Sequence, residues 1–92
     1  MTDDERLARV LGMGDADETR ARLEAAYASS ESAGELADAI VRHSWGHPED
    51  NDLLWYVDDL FSKRAEQVAA NGQPAPIGLM GWEEKVSPLR DV

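Results

Sequence analysis

Along residues 3 to 70 apolar side chains recur at spacings of three and four, and no stretch shows the strict alternation of a half-buried strand. The strongest stripe spans 49 to 70, where Leu53, Leu54, Val57, Leu60, Phe61 and Val68 share one face and Asn71-Gly72 supplies a left-handed stop. Pro48 suits the first turn of that helix, and Glu49 and Asp50 favour its positive dipole end. The pattern leaves open whether a bend near Val57 splits it into a short and a long helix. A helix over 33 to 45 turns Leu36, Ala37, Ile40 and Val41 inward and sends Glu31, Glu35, Asp38 and Arg42 to water. A helix over 16 to 29 offers Leu23, Ala26 and Tyr27, and a short one over 3 to 12 buries Leu7, Val10 and Leu11 before Gly12-Met13-Gly14. Thr2 with Glu5, Asp15 with Glu18 and Ser32 with Glu35 have the spacing of capping boxes, so each pair predicts a helix start. From Gln73 onward Pro74, Pro76, Gly78, Gly81 and Pro88 predict an irregular tail, which Ile77, Leu79, Met80 and Trp82 are placed to pin to the rest. The expected architecture is all-α: a small bundle of four to five short helices in residues 1–72, with an irregular tail, 73–92, packed on it or extending from it.

Composition narrows the function. Ninety-two residues make a single domain, and 42% apolar content is enough for a small core. Nineteen acidic against nine basic side chains give a net charge of −10, which opposes binding to nucleic acid or anionic lipid and favours a basic protein partner. The absence of cysteine removes disulfides and thiolate chemistry. The opening Met1-Thr2-Asp3-Asp4-Glu5-Arg6 lacks the basic and apolar regions of a secretory signal, and no apolar run approaches membrane-spanning length. The expectation is a cytoplasmic protein.

Candidate chemistry is sparse. His43 and His47 have the i,i+4 spacing of a helical metal pair, but Gly46 and Pro48 interrupt the helix, so capping or surface histidines are the simpler expectation. Gly12-Met13-Gly14 lacks the strand and third glycine of a dinucleotide loop and reads as a helix breaker. Asp58-Asp59 and Glu83-Glu84 are sequence neighbours, which on a helix diverge by about 100° and do not converge on one substrate atom. No catalytic residue, metal or cofactor is therefore expected. The helix over 49 to 70 carries the one distinctive feature: Trp55 falls about 155° from the centre of its apolar stripe. Asp52, Asp59, Ser62 and Glu66 share this outward sector, with Tyr56 at its margin. A large aromatic ringed by carboxylates matches a protein-binding hot spot for a cationic partner.

Around these residues the chain resembles the immunity proteins of nuclease colicins and S-type pyocins, small acidic four-helix proteins that silence a toxin domain. Their motif H-P-x-x-S-D-L-I-Y-Y is similar to His47-Pro48-Glu49-Asp50-Asn51-Asp52-Leu53-Leu54-Trp55-Tyr56, with tryptophan at the first tyrosine. Ser32-Ala33-Gly34-Glu35-Leu36 is similar to the opening of the family's second helix, and Ala69-Ala70-Asn71-Gly72 to the end of its last. The segment between Tyr56 and Ala69 is shorter than in the family, and the N-terminal helix and the tail have no counterpart there. The resemblance implies that Asp52, Trp55 and Tyr56 form a toxin-binding anchor and that Glu35 and Asp38 lie on the helix that selects the toxin. The expected function is that of a non-enzymatic inhibitor that blocks a basic nuclease toxin domain. The competing expectation is a helical adaptor or phage-type regulator that binds a host protein or itself.

Overall fold

The computed structural model describes residues 2–90, which form five α-helices: α1 (Asp3–Val10), α2 (Ala16–Ala28), α3 (Ser30–Gly46), α4 (Asp52–Ala70) and α5 (Gly78–Arg90). A single 3₁₀ turn, Pro48–Asp50, joins α3 to α4, and the described residues contain no strand. No helix among them is long and apolar enough to cross a membrane.

Side-chain caps start the first helices as their spacing predicts. Thr2 Oγ1 accepts the Glu5 amide at 3.2 Å, and Asp15 Oδ1 accepts the Glu18 amide at 2.9 Å. The Glu18 carboxylate reaches back to the Gly14 amide at 2.8 Å. The third start differs from expectation. Ser29, not Ser32, is the N-cap of α3: its backbone is extended and its hydroxyl accepts the Ser32 amide at 3.4 Å. Starting earlier adds the turn of Ser30, Glu31 and Ser32, whose Ser30 backbone meets Gly81 of the C-terminal segment and whose Ser30 Oγ donates to the Ile77 carbonyl at 3.0 Å. The long fourth helix is unbroken at Val57; the interruption falls at Asn51, because the bonds from the Asp50 and Asn51 amides to His47 and Pro48 wind that corner as a 3₁₀ turn. α1 and α4 close on Gly12 and Gly72, both at positive φ, the latter where Asn71-Gly72 predicts it.

The expected irregular tail is corrected more substantially, since residues 78–90 form α5. The glycines read as breakers instead clear space. A Cβ on Gly78 would lie 1.6 Å from the Ala26 carbonyl oxygen, and one on Gly81 2.1 Å from that of Ser30, so α5 meets the α2–α3 junction backbone to backbone. Pro74 and Pro76 fall before the helix, and Pro88 lies in its last turn, where it forgoes the amide bond to the Glu84 carbonyl but leaves the preceding turns intact. Trp82 and Val86, four residues apart, are fully buried.

α5 runs along α3, and α3 also contacts α1, α2 and α4, so α3 is the central element. The shared core includes Leu7 from α1, Leu23 and Ala26 from α2, Leu36 and Ile40 from α3, Leu53, Val57 and Phe61 from α4, and Trp82 and Val86 from α5. Val10, Leu11, Leu60 and Tyr27 pack at its margin. Phe61 stacks on Trp82 with centroids 4.9 Å apart and receives the edge of Tyr27 at 4.8 Å. The Trp82 indole donates to Asp58 Oδ1 at 2.9 Å, which satisfies its one polar group.

Because backbone atoms rather than flexible side chains oppose the glycines, Gly81→Ala is expected to destabilise the fold by about 2 kcal/mol or more, through overpacking. Gly46→Ala, with nothing within 4 Å of the new methyl, is expected to change it by less than about 1 kcal/mol. Urea unfolding of the two variants checks this; equal losses would contradict the close approach of α5.

Candidate protein-docking site

The corner between α3 and α4 brings two tryptophans together. The last turn of α3 places Val41, Ser44 and Trp45 on one side at spacings of three and four, and the first turn of α4 contributes Leu54 and Trp55. With Asn51 and Leu89 they line a shallow groove of about 250 Å³. Trp45 is 79% exposed, Trp55 38% and Leu89 37%. The Ser44 hydroxyl is turned back onto the Ile40 carbonyl at 2.9 Å, which leaves the groove floor apolar. Trp55 therefore faces outward as its helical angle predicts, and Trp82, the aromatic best placed in sequence to cover it, is committed to the core.

The 3₁₀ corner is held by one arginine. Arg6 of α1 forms a two-pronged bond with Asp52, its nitrogens 2.8 and 2.9 Å from the two carboxylate oxygens, and also reaches Asp50 at 2.9 Å and Asp3 at 3.3 Å. With Asp50 ionised, His43 Nε2 carries the proton and donates to Asp50 Oδ2 at 2.8 Å. The bond from His43, then that from Arg6, holds the Asp50 carboxyl below the usual carboxylate range, and Arg6 does the same for Asp52. The two carboxylates in turn raise the Arg6 pKa. His47 stacks on His43 at 4.4 Å but turns to Glu49, 3.3 Å away, so the two imidazoles address different carboxylates. Among the described residues no three histidine, aspartate or glutamate side chains gather as a metal-ligand set.

The remaining expected site residues separate. Asp52, Trp55 and Asp59 share a face of α4 at spacings of three and four, and Asp59 pairs with Lys63 at 2.9 Å on the surface. Tyr56 does not join them. One residue on, it is turned by about 100° toward α1 and α2, where it is half-buried and its hydroxyl donates to Asp4 at 2.5 Å. Burial first, and the Asp4 bond second, push its pKa up to about 12. Glu35 and Asp38 belong to a recess between α3 and α5, where Glu35 lies 3.8 Å from Arg22 and Asp38 3.5 Å from Lys85. Of the three residues expected to form an anchor, Asp52 and Trp55 share a face and Tyr56 lies on another, and the second aromatic in the groove with Trp55 is Trp45. The sequence signal for Trp45 was its position four residues after Val41, at the edge of the α3 stripe. Nothing local marked Leu89, which depends on the existence of α5.

Comparison with models of known families, with curated proteins and with solved structures finds no match. The site's own geometry is therefore the ground for function.

Asp50 and Asp52 have folded-state pKa values below their ordinary 3.8, so the stability they contribute is whole above that pH and is lost as pH falls through the depressed folded values. Arg6→Gln removes much of the depression. Its destabilisation relative to the parent chain is expected to be largest near neutral pH and to shrink below about pH 4. Urea unfolding across that range checks the sign, and a gap that widened in acid would contradict it.

Proposed function

We propose that this chain is a non-enzymatic protein-binding domain that blocks a basic nuclease toxin domain by docking the Trp45–Trp55 groove onto it. The observation that carries the proposal is the pair of exposed indoles, one 79% free, beside Leu89 on a chain of net charge −10. Tryptophan is enriched among residues that dominate binding energy, because it buries a large, rigid surface with little entropy to lose. Asp52 and Asp59 flank Trp55 with more than half of each side chain exposed. Asp59's present partner, Lys63, is a surface cation whose pairing contributes little, so a partner's cation can replace it at small cost, while Asp52 keeps its bond to Arg6 and adds its charge to the face. A nuclease must present a basic surface to hold a phosphate backbone, and an acidic face with an apolar centre complements such a surface. The similarity of His47 to Tyr56 to the immunity-protein motif supports the same class. Self-association through this groove would set −10 against −10, which favours a heterologous partner over a second copy.

The test takes the products of the genes beside this one, among which the proposal requires a basic nuclease toxin domain; its absence there would count against the proposal. Stoichiometric inhibition of that domain's nucleic-acid cleavage is expected, with association slowed by added salt. Trp45→Ala and Trp55→Ala are each expected to weaken binding by about 2 kcal/mol or more, while Tyr56→Phe leaves it nearly unchanged. Calorimetry in which both tryptophan variants bind like the parent chain would reject the proposal.

A further inference from the structure

A second concavity lies away from the tryptophans, between α2 and α4. Glu24 pairs with Arg64 at 2.9 Å and Tyr27 meets Phe61 at 4.8 Å; the first partner rises by three residues as the second falls by three, so the helices run antiparallel across the cleft. Between them is a space of about 310 Å³, at the lower end of the range of small-molecule sites. Its composition runs against the rest of the chain. Arg20, Lys63 and Arg64, three of the nine basic side chains of a molecule with net charge −10, line this one cleft.

The cleft is also polarised along its length. Leu23, Tyr27 and Leu60 line it, and Tyr56 stands at one end. There Asp4 accepts the Tyr56 hydroxyl, which places a negative charge at that end. Arg64, whose guanidinium lies 5.0 Å above the Tyr27 ring, stands at mid-cleft with Lys63, and Arg20, one turn before Glu24, stands toward the other end. The two acidic partners within reach of these cations, Glu24 on Arg64 and Asp59 on Lys63, are solvent-exposed and readily displaced.

From this arrangement we propose that the α2–α4 cleft binds a small amphipathic anion: a flat aromatic body against Tyr56, Leu23 and Leu60, with its sulfonate or carboxylate among Arg20, Lys63 and Arg64. Asp4 excludes the reverse orientation, because it would meet the anion at the tyrosine end. The site adjoins the Trp55 face through the Asp59–Lys63 pair and stands whether or not the Trp45–Trp55 groove docks a toxin.

Titration with the aromatic sulfonate 8-anilinonaphthalene-1-sulfonate, followed by its fluorescence, tests the site in the intact chain. One saturable site is expected. Arg64→Gln is expected to weaken it by about tenfold, as loss of a charge-assisted contact does. Arg20→Gln, at an exposed position outside the core, is expected to weaken it in the same direction and serves even where Arg64→Gln unfolds the chain. Trp45→Ala leaves the affinity unchanged, and the neutral analogue N-phenyl-1-naphthylamine binds at least about tenfold more weakly. The proposal is overturned by absence of saturable binding, by equal affinity for the neutral analogue, or by a site lost in Trp45→Ala and retained in Arg20→Gln.

Discussion

The stacking of Trp82 on Phe61, with the indole nitrogen bonded to Asp58, is the contact on which the rest of the molecule depends. It joins the last helix to the long fourth one across the core, and the close approach permitted by Gly78 and Gly81 fixes the depth at which that helix sits. Burial of an indole of this size is worth about 3–5 kcal/mol against its truncation, a large share of what stabilises a domain of this length. The same contact orients the end of α5. Leu89 is brought beside Trp45 and Trp55, and Arg90 bonds to Asp58 and Glu83. The candidate docking groove thus has a wall contributed by the C-terminal helix, and its shape is set by the core.

Charge is distributed on the same logic. Six of the nine basic side chains, Arg6, Arg22, Lys63, Arg64, Lys85 and Arg90, are spent on intramolecular carboxylates that join neighbouring turns or different helices. Little positive charge is left to offset the acidic excess at the surface, which therefore presents a negative field to any approaching protein. Arg6 shows how local the compensation is: one guanidinium gathers Asp3, Asp50 and Asp52 and so fixes the turn that sets Trp45 against Trp55. Among the described residues, the Trp45–Trp55 groove and the cation-lined α2–α4 cleft depart from this acidic excess, and they are the surfaces on which the two proposals rest.

Much of this was legible in the sequence because it is local. Thr2, Asp15 and Gly72 act within one turn of chain, so their spacing to a helix start or stop suffices, and the outward angle of Trp55 follows from helical geometry alone. What was not legible is tertiary. Gly78 and Gly81 carry the same symbol whether they break a helix or let one backbone approach another, and only the position of Ala26 and Ser30 distinguishes the two. Ser29, not Ser32, caps α3, and the turn this adds meets α5 where Gly81 approaches the Ser30 backbone. Tyr56 follows Trp55 in sequence and in the resembling motif, yet one helical step separates them onto different faces, and its partner Asp4 lies 52 positions away. Trp45 sits on the final turn of α3, where a stripe's edge gives no indication of which side the next helix will cover.

The three indole N–H groups provide the most direct check, since each reports on one tryptophan. Hydrogen exchange followed by NMR on the free protein should show the Trp82 indole strongly protected, held in the core against Asp58, and the Trp45 and Trp55 indoles exchanging close to the rate of free indole. Protection of Trp45 and Trp55 equal to that of Trp82 would mean that both rings are sealed inside, and a docking face built on them would not exist.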